Sequence, residues 1–341
     1  MPVKNRIKTA KYKKILKYTI FGTNIVALLL LIASSFAWTI SPNEHVVFSY
    51  LGLFFPFILA VNIAYLILWI VSFNWRLLLI SLCVLAFCWK PIKIYFPFHL
   101  ASKEVPKGSV KFLTYNVRGF NGTMKGANGE PNPIFAYIRD SKADIVCLQE
   151  FVAMRNHDGK KILQHYPYQS VVGLAASNKF SIYGLACYSK YPIIKTFRIP
   201  FSGNSFNGSA IFRIKINDQV ISVVNNHLES NKITTEDKQL YQQFLEKKNS
   251  DMIGSIAHNI RNRLGVAYRL RASQVDSVRL YVQKEKAQTD AMIVCGDFND
   301  TPISYAYHKM KNDLYDSFAE TGKGPGITYH ENHFLFRIDY I

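Results

Sequence analysis

The sequence contains few cysteines, and their spacing excludes two common classes of small domain. Five occur in 341 residues: Cys83 and Cys88 lie in a hydrophobic run, and Cys147, Cys187 and Cys295 lie in predicted strands. This odd, scattered set gives neither a disulfide framework nor the spacing of a zinc site. Buried cysteines serve as small apolar residues in any compartment, so the redox context stays open.

Acidic residues are nearly absent from the first hundred positions. Between Ile15 and Phe98 the only acid is Glu44, and three long apolar runs fill this region. From Ser102 onward, charged and polar residues mix with short apolar runs. We therefore predict a membrane anchor over residues 1–100, a linker over 101–108 and a globular domain over 109–341.

The anchor is predicted to contain two or three transmembrane helices, at about 18–40, 46–73 and 76–98. The first run is uncharged and longer than the roughly 20 residues that cross a bilayer. A signal peptide is disfavoured because the run is long and a second run follows at once. Lys90 and Pro91 interrupt the third run, which crosses only if flanking side chains snorkel. A transporter is disfavoured because the runs carry no charge that could line an ion pathway.

The basic residues indicate how the anchor is oriented. The net charge is +18, and part of this excess lies before the first run, in Lys4, Arg6, Lys8, Lys11, Lys13, Lys14 and Lys17. Positive residues remain on the cytoplasmic side, so the N-terminus is predicted to be cytoplasmic. Three crossings place the globular domain outside the cytoplasm, and two leave it inside. We expect three crossings, and hence a multi-pass membrane protein with an extracytoplasmic domain.

The globular part is predicted to be rich in strands. The apolar segments are VKFLTYNV, ADIVCLQE, SIYGLACYSKYPI, SAIFRIKI, VISVVNNHL and AMIVCGDFN. Asn217-Asp218 between two of them is a hairpin signal, so the sheet is at least partly antiparallel. Helical patterns occur at Pro133 to Ser141 and over much of Asn231 to Tyr281.

Polar residues stand directly after several of these strands: Asn116, Glu150, His227, Asp297 and Asn299. Strand ends of one sheet can converge on a single edge, and carboxylate and amide oxygens suit Mg²⁺. A second interpretation is structural, because acids and asparagines after strands often begin turns. A lone histidine is likewise more often a satisfied structural residue than a ligand.

Six motifs in order resemble the endonuclease/exonuclease/phosphatase superfamily. They are YNVRGF around Asn116, DIVCLQE ending at Glu150, YSKYPI, NNHL at His227, GDFND at Asp297 and RIDYI at Asp339. The resemblance covers about residues 109–341. It implies an α/β (α+β) fold: a four-layer sandwich of two mainly antiparallel sheets flanked by helices, here preceded by a transmembrane anchor.

The resemblance also implies the role of each site residue. Glu150 would hold a divalent metal with help from Asn116, and Asp297 would orient or deprotonate the attacking water. Asn299 and His227 would bind the scissile phosphate, and Asp339 would orient a catalytic histidine. These groups meet the needs of attack on a phosphoester, which are a nucleophilic water and neutralisation of developing charge.

The sequence departs from the family pattern at one motif. In the family a Ser-Asp-His element normally follows the RIDYI strand and supplies the catalytic histidine, whereas the given sequence ends at Ile341. His330 and His333 precede Asp339 and do not match that element. Two interpretations stay open: a sequence that continues beyond this point, or a domain that is crippled or inactive.

The function expected from these observations is a membrane-anchored, metal-dependent hydrolase of phosphodiester or phosphomonoester bonds. Its cofactor would be Mg²⁺, with Mn²⁺ as a substitute. Its expected partners are the lipid bilayer and a phosphate-ester substrate, either a lipid headgroup or a nucleic acid, with no obligate protein partner. The alternative is a catalytically inactive, membrane-displayed binding module of the same fold.

Overall fold

The three hydrophobic runs form helices in the computed structural model, which describes residues 3–100, 104–122, 132–154, 164–178, 181–201, 206–232, 251–331 and 334–341. Helix α1 spans Val3–Ser35, α2 Val47–Leu53, α3 Phe55–Val71, α4 Trp75–Phe87 and α5 Trp89–Tyr95. The first predicted span therefore ends earlier than Ile40, and a single 3-10 turn, Ala37–Thr39, follows it. The chain divides into two compact units, residues 1–96 with 303–305, and residues 97–302 with 306–341.

The second and third predicted spans are each broken into two helices. Helices α2 and α3 meet at a bend of 59°, and α4 and α5 meet at a bend of 64°. Pro56 lies in the first turn of α3 and Pro91 in that of α5, where the missing N–H of proline costs least. Among the described residues, one helical segment, Tyr12–Ser35, is long and apolar enough to cross a membrane. The number of such segments rises to three if each bent pair of helices is counted as one span.

Polar side chains join α1 to α3 within this helical unit. The Asn62 amide donates to the carbonyl of Ala27 at 3.0 Å, and the Trp69 indole donates to the Asn24 carbonyl oxygen at 3.2 Å. Buried polar groups that find partners on a neighbouring helix fix how the two helices pack.

The second unit contains two sheets. Strands β1 (Phe112–Asn116), β2 (Ile145–Met154), β3 (Tyr168–Asn178) and β4 (Ser181–Ser189) form one sheet, in the order β1-β2-β4-β3. Strands β5 (Ile193–Ile199), β6 (Gly208–Ile216), β7 (Gln219–His227), β8 (Ala291–Asp297) and β9 (Asp339–Tyr340) form the other, in sequence order. The β1–β2 and β7–β8 pairs are parallel and the others antiparallel.

These sheets confirm the predicted fold class of two mainly antiparallel sheets with helices. Helix α6 spans Pro133–Ser141 as predicted, and Asn217-Asp218 joins β6 to β7 as the hairpin signal indicated. The segment SIYGLACYSKYPI contributes to both sheets. The chain leaves the first sheet after Ser189 and enters the second at Ile193, because a turn at Tyr191-Pro192 breaks the ladder.

In the described part of this unit, the further α-helices are α7 (Asp251–Lys286), α8 (Tyr305–Lys311) and α9 (Ser317–Thr321). Helix α7 occupies the later part of the stretch predicted to be helical, and residues 233–250 of that stretch lie outside the described residues. Residues 101–103 of the predicted linker also lie outside them. Val275, Val278 and Val282 of α7 are fully buried, as their helical spacing predicts.

One apolar core lies between the two sheets. It contains apolar residues of β2, β4, β6, β7 and β8, including Leu185, Phe212 and Val223. Cys147, Cys187 and Cys295 meet within it, and all three are fully buried free thiols. Burial raises the pKa of the Cys147 thiol well above its ordinary value. The three cysteines therefore pack as small apolar groups, and the Cys147 thiol has little thiolate character.

Candidate active site

The side-chain amide of Asn116 joins acids from both sheets. Its Nδ2 donates to Oε1 of Glu150 at 2.9 Å and to Oδ2 of Asp297 at 3.0 Å. Its carbonyl oxygen accepts a hydrogen bond from the backbone N–H of Arg118 at 3.0 Å, which fixes the orientation of the amide. Asn116 is the last residue of β1, so the end of this strand marks the centre of the cluster.

Glu150 lies at a bulge within β2. The pairing of β2 with β4 shifts register between Leu148 and Phe151, and Glu150 has a φ of +51°. A left-handed backbone costs a non-glycine residue about 1–2 kcal/mol, and bulges next to active sites often re-aim a side chain. The bulge directs the Glu150 carboxylate towards Asn116 and His227.

His227 ends β7 and is almost completely buried. Its Nε2 lies 3.4 Å from Oε1 of Glu150. Its Nδ1 is buried and has no hydrogen-bond partner among the residues that the structure describes. A buried polar atom without a partner is costly in a folded protein and is more common at functional sites.

Asp297 ends β8 directly after a glycine that no other residue could replace without strain. Gly296 has a φ of +123°, and a Cβ atom there would lie 2.0 Å from the carbonyl oxygen of Asn226 on the neighbouring strand. The Gly-Asp pair therefore lets β8 run close to β7 at the point where both strands end. The Asp297 carboxylate is buried, and its Oδ1 accepts the backbone N–H of Asn299 at 2.8 Å.

The two remaining predicted residues flank Asp297. Asn299 has a left-handed backbone with a φ of +53°, and its Nδ2 donates to the carbonyl of Leu228 at 2.9 Å. Asp339 lies on β9, directly opposite Asp297 in the antiparallel register. The structure thus brings together all six residues that the resemblance singled out: Asn116, Glu150, His227, Asp297, Asn299 and Asp339.

The charged groups of this cluster shift one another's pKa values. Burial raises the pKa of Asp297, and burial together with the Asp297 charge raises the pKa of Asp339 to about 7. The pKa of Glu150 is lowered, because hydrogen bonds from His227 and Asn116 outweigh the opposing effect of burial. Burial would also lower the pKa of His227, but contact with Glu150 and the charge of Asp297 raise it. The imidazole therefore favours its protonated form among these acids.

One residue of the cluster carried no signal in the sequence. Tyr183 lies inside β4 opposite Val152, beyond the bulge, and its phenol is close enough to the Glu150 carboxylate to be affected by its charge. Burial, followed by the Glu150 charge, raises its pKa. Its ring packs edge-on against Phe206 at 5.5 Å between centroids. No motif marks a tyrosine in the middle of a strand, and only the register places it here.

His330 does not enter this arrangement. His330 is an exposed residue in the stretch before β9, and His333 lies outside the described residues. An ion pair between Arg118 and Glu331 instead joins this stretch to the segment after Asn116.

The donor set bears on which metal could bind. Within the described ranges, no three His, Cys, Asp or Glu side chains are arranged to hold a metal ion. Magnesium does not need such a group, since it keeps several waters and uses one or two protein carboxylates. Glu150 and Asp297 both lie within hydrogen-bonding distance of one amide nitrogen, and the Glu150 side chain is 28% exposed. These residues fit a hard, hydrated cation better than zinc.

Comparison with known proteins agrees with the motifs. The model of the Endonuclease/Exonuclease/phosphatase family matches residues 113–341, and the model of a domain of unknown function matches residues 14–95. A search of the curated proteins returned no match.

Several solved structures are similar to the chain. The human Nocturnin catalytic domain with bound sulfate is 16% identical, with a TM-score of 0.41 over 61% of this chain and 71% of that one. Sphingomyelinase C from Streptomyces griseocarneus is 21% identical, with a TM-score of 0.39 over 62% and 71%. An endonuclease/exonuclease/phosphatase family protein from Leptotrichia buccalis is 17% identical, with a TM-score of 0.41 over 68% and 86%.

Proposed function

The chain belongs to the Endonuclease/Exonuclease/phosphatase family, and from this premise we propose that it hydrolyses phosphoester bonds, with phosphodiesters as its preferred class. One observation supports this proposal above the others: Asn116 joins Glu150 of one sheet to Asp297 of the other, with His227 beside Glu150. An acid, a base and an amide donor are thus held within reach of one phosphoryl group.

In this proposal Glu150 and Asn116 hold a divalent cation, Mg²⁺ or in its place Mn²⁺. Glu150 would contribute a carboxylate oxygen, and Asn116 would contribute its carbonyl oxygen or keep the carboxylate oriented. When bound, such a cation neutralises charge on the phosphoryl oxygens. The lowered pKa of Glu150 keeps its carboxylate charged, as a hard cation requires.

Asp297 is the proposed group that orients the attacking water. Its two oxygens accept hydrogen bonds from Asn116 and from the backbone of Asn299, so the carboxylate has one fixed orientation. Each carboxylate oxygen has a second lone pair, which can accept a proton or a hydrogen bond from water. A general base must lie within hydrogen-bonding distance of the water that it deprotonates. The fixed orientation of the Asp297 carboxylate would keep it in position for such a water.

His227 and Asn299 are the proposed partners of the phosphoryl oxygens. Protonated His227 carries a donor at each ring nitrogen, and only Nε2 contacts Glu150. Nδ2 of Asn299 carries two hydrogens, of which one is used by Leu228. The charge of Asp339, on β9 beyond β8, also raises the pKa of His227. Charged hydrogen bonds of this kind stabilise the extra charge of the transition state.

The test is hydrolysis of bis-(p-nitrophenyl) phosphate by the full chain in detergent micelles, with Mg²⁺, with Mn²⁺ and with chelator. We expect Glu150→Ala and Asp297→Ala each to lower kcat by roughly 100-fold or more. The matched control is Asp218→Ala, an exposed acid in the β6–β7 turn, which should leave kcat unchanged. A folded wild-type chain without metal-dependent hydrolysis would contradict the proposal and favour the inactive binding module.

A nucleic acid and a lipid headgroup remain the two substrate classes to compare once activity is established. Both present a phosphodiester, and hydrolysis of single-stranded DNA, RNA and sphingomyelin vesicles by the same preparation separates them. No obligate protein partner enters the proposal.

We propose further that the helical unit crosses the membrane three times and places the hydrolytic domain outside the cytoplasm. This proposal rests on the apolar α1 and the two bent helix pairs and on the basic residues before α1. A reporter enzyme that is active only outside the cytoplasm would be fused after Asn43, Asn74 or Ile341. Activity is expected at the first and last positions only, and an inactive fusion at Ile341 would contradict three crossings.

A further inference from the structure

Arg271 in the middle of α7 is almost completely removed from solvent, with 1% of its surface exposed. Its guanidinium lies 4.7 Å from the ring centroid of Tyr268 on the same helix. A guanidinium is charged at every pH at which a protein is folded. Burial of such a charge is costly unless neighbouring groups pair with it. The partners of Arg271 therefore identify the segments that it connects.

The first partner of Arg271 is the segment that follows His227. Nη1 of Arg271 donates to the carbonyl of Glu229 at 2.7 Å. One turn further along α7, Gln274 accepts the backbone N–H of Glu229 at 2.8 Å. Both backbone groups of Glu229 are thus held by one face of α7, two residues after the end of β7.

The second partner is the segment that follows Asp297. Nε of Arg271 lies 3.1 Å from Oδ2 of Asp300, the residue after Asn299. Asp300 also uses Oδ1 to accept the backbone N–H of Thr301 at 3.0 Å, which fixes the turn. One planar side chain therefore connects the segments that follow β7 and β8.

The same two segments meet inside the candidate site. Asn299 donates to the carbonyl of Leu228 at 2.9 Å, and Leu228 donates to the carbonyl of Asp297 at 3.0 Å. These two contacts hold His227 and Asn299 at their separation. Arg271 contacts the next residue of each segment, Glu229 after Leu228 and Asp300 after Asn299. The five donors of a guanidinium lie at fixed angles in one plane, which suits it to set such a separation.

We propose that Arg271 is a positioning residue, which acts through Glu229 and Asp300 to fix the distance between His227 and Asn299. This inference rests on the proposed function for its kinetic consequence. It predicts that an altered Arg271 lowers the rate of the chemical step far more than it weakens binding of a small substrate, because the placement of His227 and Asn299 matters most in the transition state.

Three variants of the full chain separate positioning from simple stabilisation. Arg271→Lys keeps the positive charge but loses the planar set of guanidinium donors. R271M/D300L replaces the ion pair with apolar side chains of similar size. A buried ion pair replaced in this way often leaves stability unchanged or improves it. The matched control is Arg279→Met, because Arg279 is also a buried arginine of α7 but pairs with Asp313 at 2.7 Å, outside both segments.

The expected result is a kcat about 10- to 100-fold lower for Arg271→Lys and for R271M/D300L, with KM for bis-(p-nitrophenyl) phosphate within twofold of wild type. The double variant should unfold near the wild-type midpoint, and Arg279→Met should keep wild-type kcat. If R271M/D300L regains both stability and kcat, Arg271 only stabilises the fold and the inference is wrong. If Arg271→Lys fails to fold, the double variant decides alone.

Hydrogen–deuterium exchange of the same preparations tests the inference without any activity. Peptides covering residues 225–232 and 297–301 should exchange faster in Arg271→Lys and in the double variant, and a peptide covering β6 should not change. Unchanged protection in both segments would overturn the inference. If the wild-type chain hydrolyses no phosphoester, the proposed function fails, and this measurement still decides whether Arg271 holds the two segments.

Discussion

His227 and Glu150 lie on different sheets, yet Nε2 of the imidazole is 3.4 Å from Oε1 of the carboxylate. β7 carries the histidine in the five-stranded sheet, and β2 carries the acid in the four-stranded one. The candidate site is therefore a property of the packed sandwich, since neither sheet holds both charges alone.

Replacement of His227 by Gln should lower kcat by roughly 100- to 1000-fold, the effect of removing one donor to the developing charge. Gln is similar in size and keeps a donor, but it cannot carry a positive charge among these acids. The measurement is kcat and KM for bis-(p-nitrophenyl) phosphate. His258→Gln, at an exposed position of α7, is the control, and an unchanged kcat in His227→Gln would exclude the assigned role.

Asn299→Gly and Asn299→Ala should lose activity to the same degree but differ in stability. Both remove the amide that contacts Leu228, whereas only glycine accepts the left-handed backbone without strain. We expect the glycine variant to be more stable by about 0.5–1 kcal/mol, as measured by urea unfolding.

Asn217 provides the matched control for this pair. It has the same φ of +53° in the exposed β6–β7 turn but no part in the site. Asn217→Gly and Asn217→Ala should show the same stability difference with full activity. Equal stabilities of the glycine and alanine variants at position 299 would contradict the strained backbone there.

Gln149 and Asn225 form a buried polar link between the sheets. Gln149 donates to Asn225 at 2.6 Å, and Asn225 donates to the carbonyl of Leu148 at 3.1 Å. Asn225→Leu should lower the free energy of unfolding by about 1–3 kcal/mol, because the buried Gln149 amide and the Leu148 carbonyl each lose a hydrogen-bond partner.

The double variant Q149L/N225L tests whether the two residues act as one unit. Its loss of stability should be smaller than the sum of the single losses, by about 0.5–3 kcal/mol. Gln149→Leu combined with the exposed turn variant Asp218→Asn should instead be additive. Additivity in the first pair would show that the two amides contribute independently.

The ionisation of Glu285 should make the free energy of unfolding depend on pH in the acidic range. It is buried on α7 and accepts two hydrogen bonds from Arg213, at 2.9 and 2.8 Å, and one from Ser222 at 2.8 Å. Its hydrogen bonds with Arg213, followed by that with Ser222, lower its pKa. The stabilisation is thus fully present above the unfolded pKa of about 4.3, and it is lost as the pH falls from there through the lower folded pKa.

Glu285→Gln should therefore unfold at lower urea concentration than wild type at pH 7, and the two should converge as the pH falls below about 4. Circular dichroism of the full chain in micelles provides the measurement. A constant difference between them from pH 7 to pH 3 would show that the ionised carboxylate contributes nothing.

Local sequence patterns predicted much of the fold, because hydrophobic period and turn chemistry act over a few residues. The bounds of α6 and the hairpin at Asn217-Asp218 are examples. The bulge at Glu150 and the approach of Tyr183 were not predicted, since both depend on the register between β2 and β4. The two bends in the helical unit were also not predicted, because the length of an apolar run does not show where a helix changes direction.

The contact between Asn116 and Asp297 has a consequence for how the chain reaches its native state. The two residues are 181 positions apart, and closure of so long a loop must occur before the contact contributes any free energy. Pairings of this kind slow the search for the native topology. The site should thus be among the last features to form on refolding, and recovery of hydrolysis should lag behind the recovery of strand structure seen by circular dichroism.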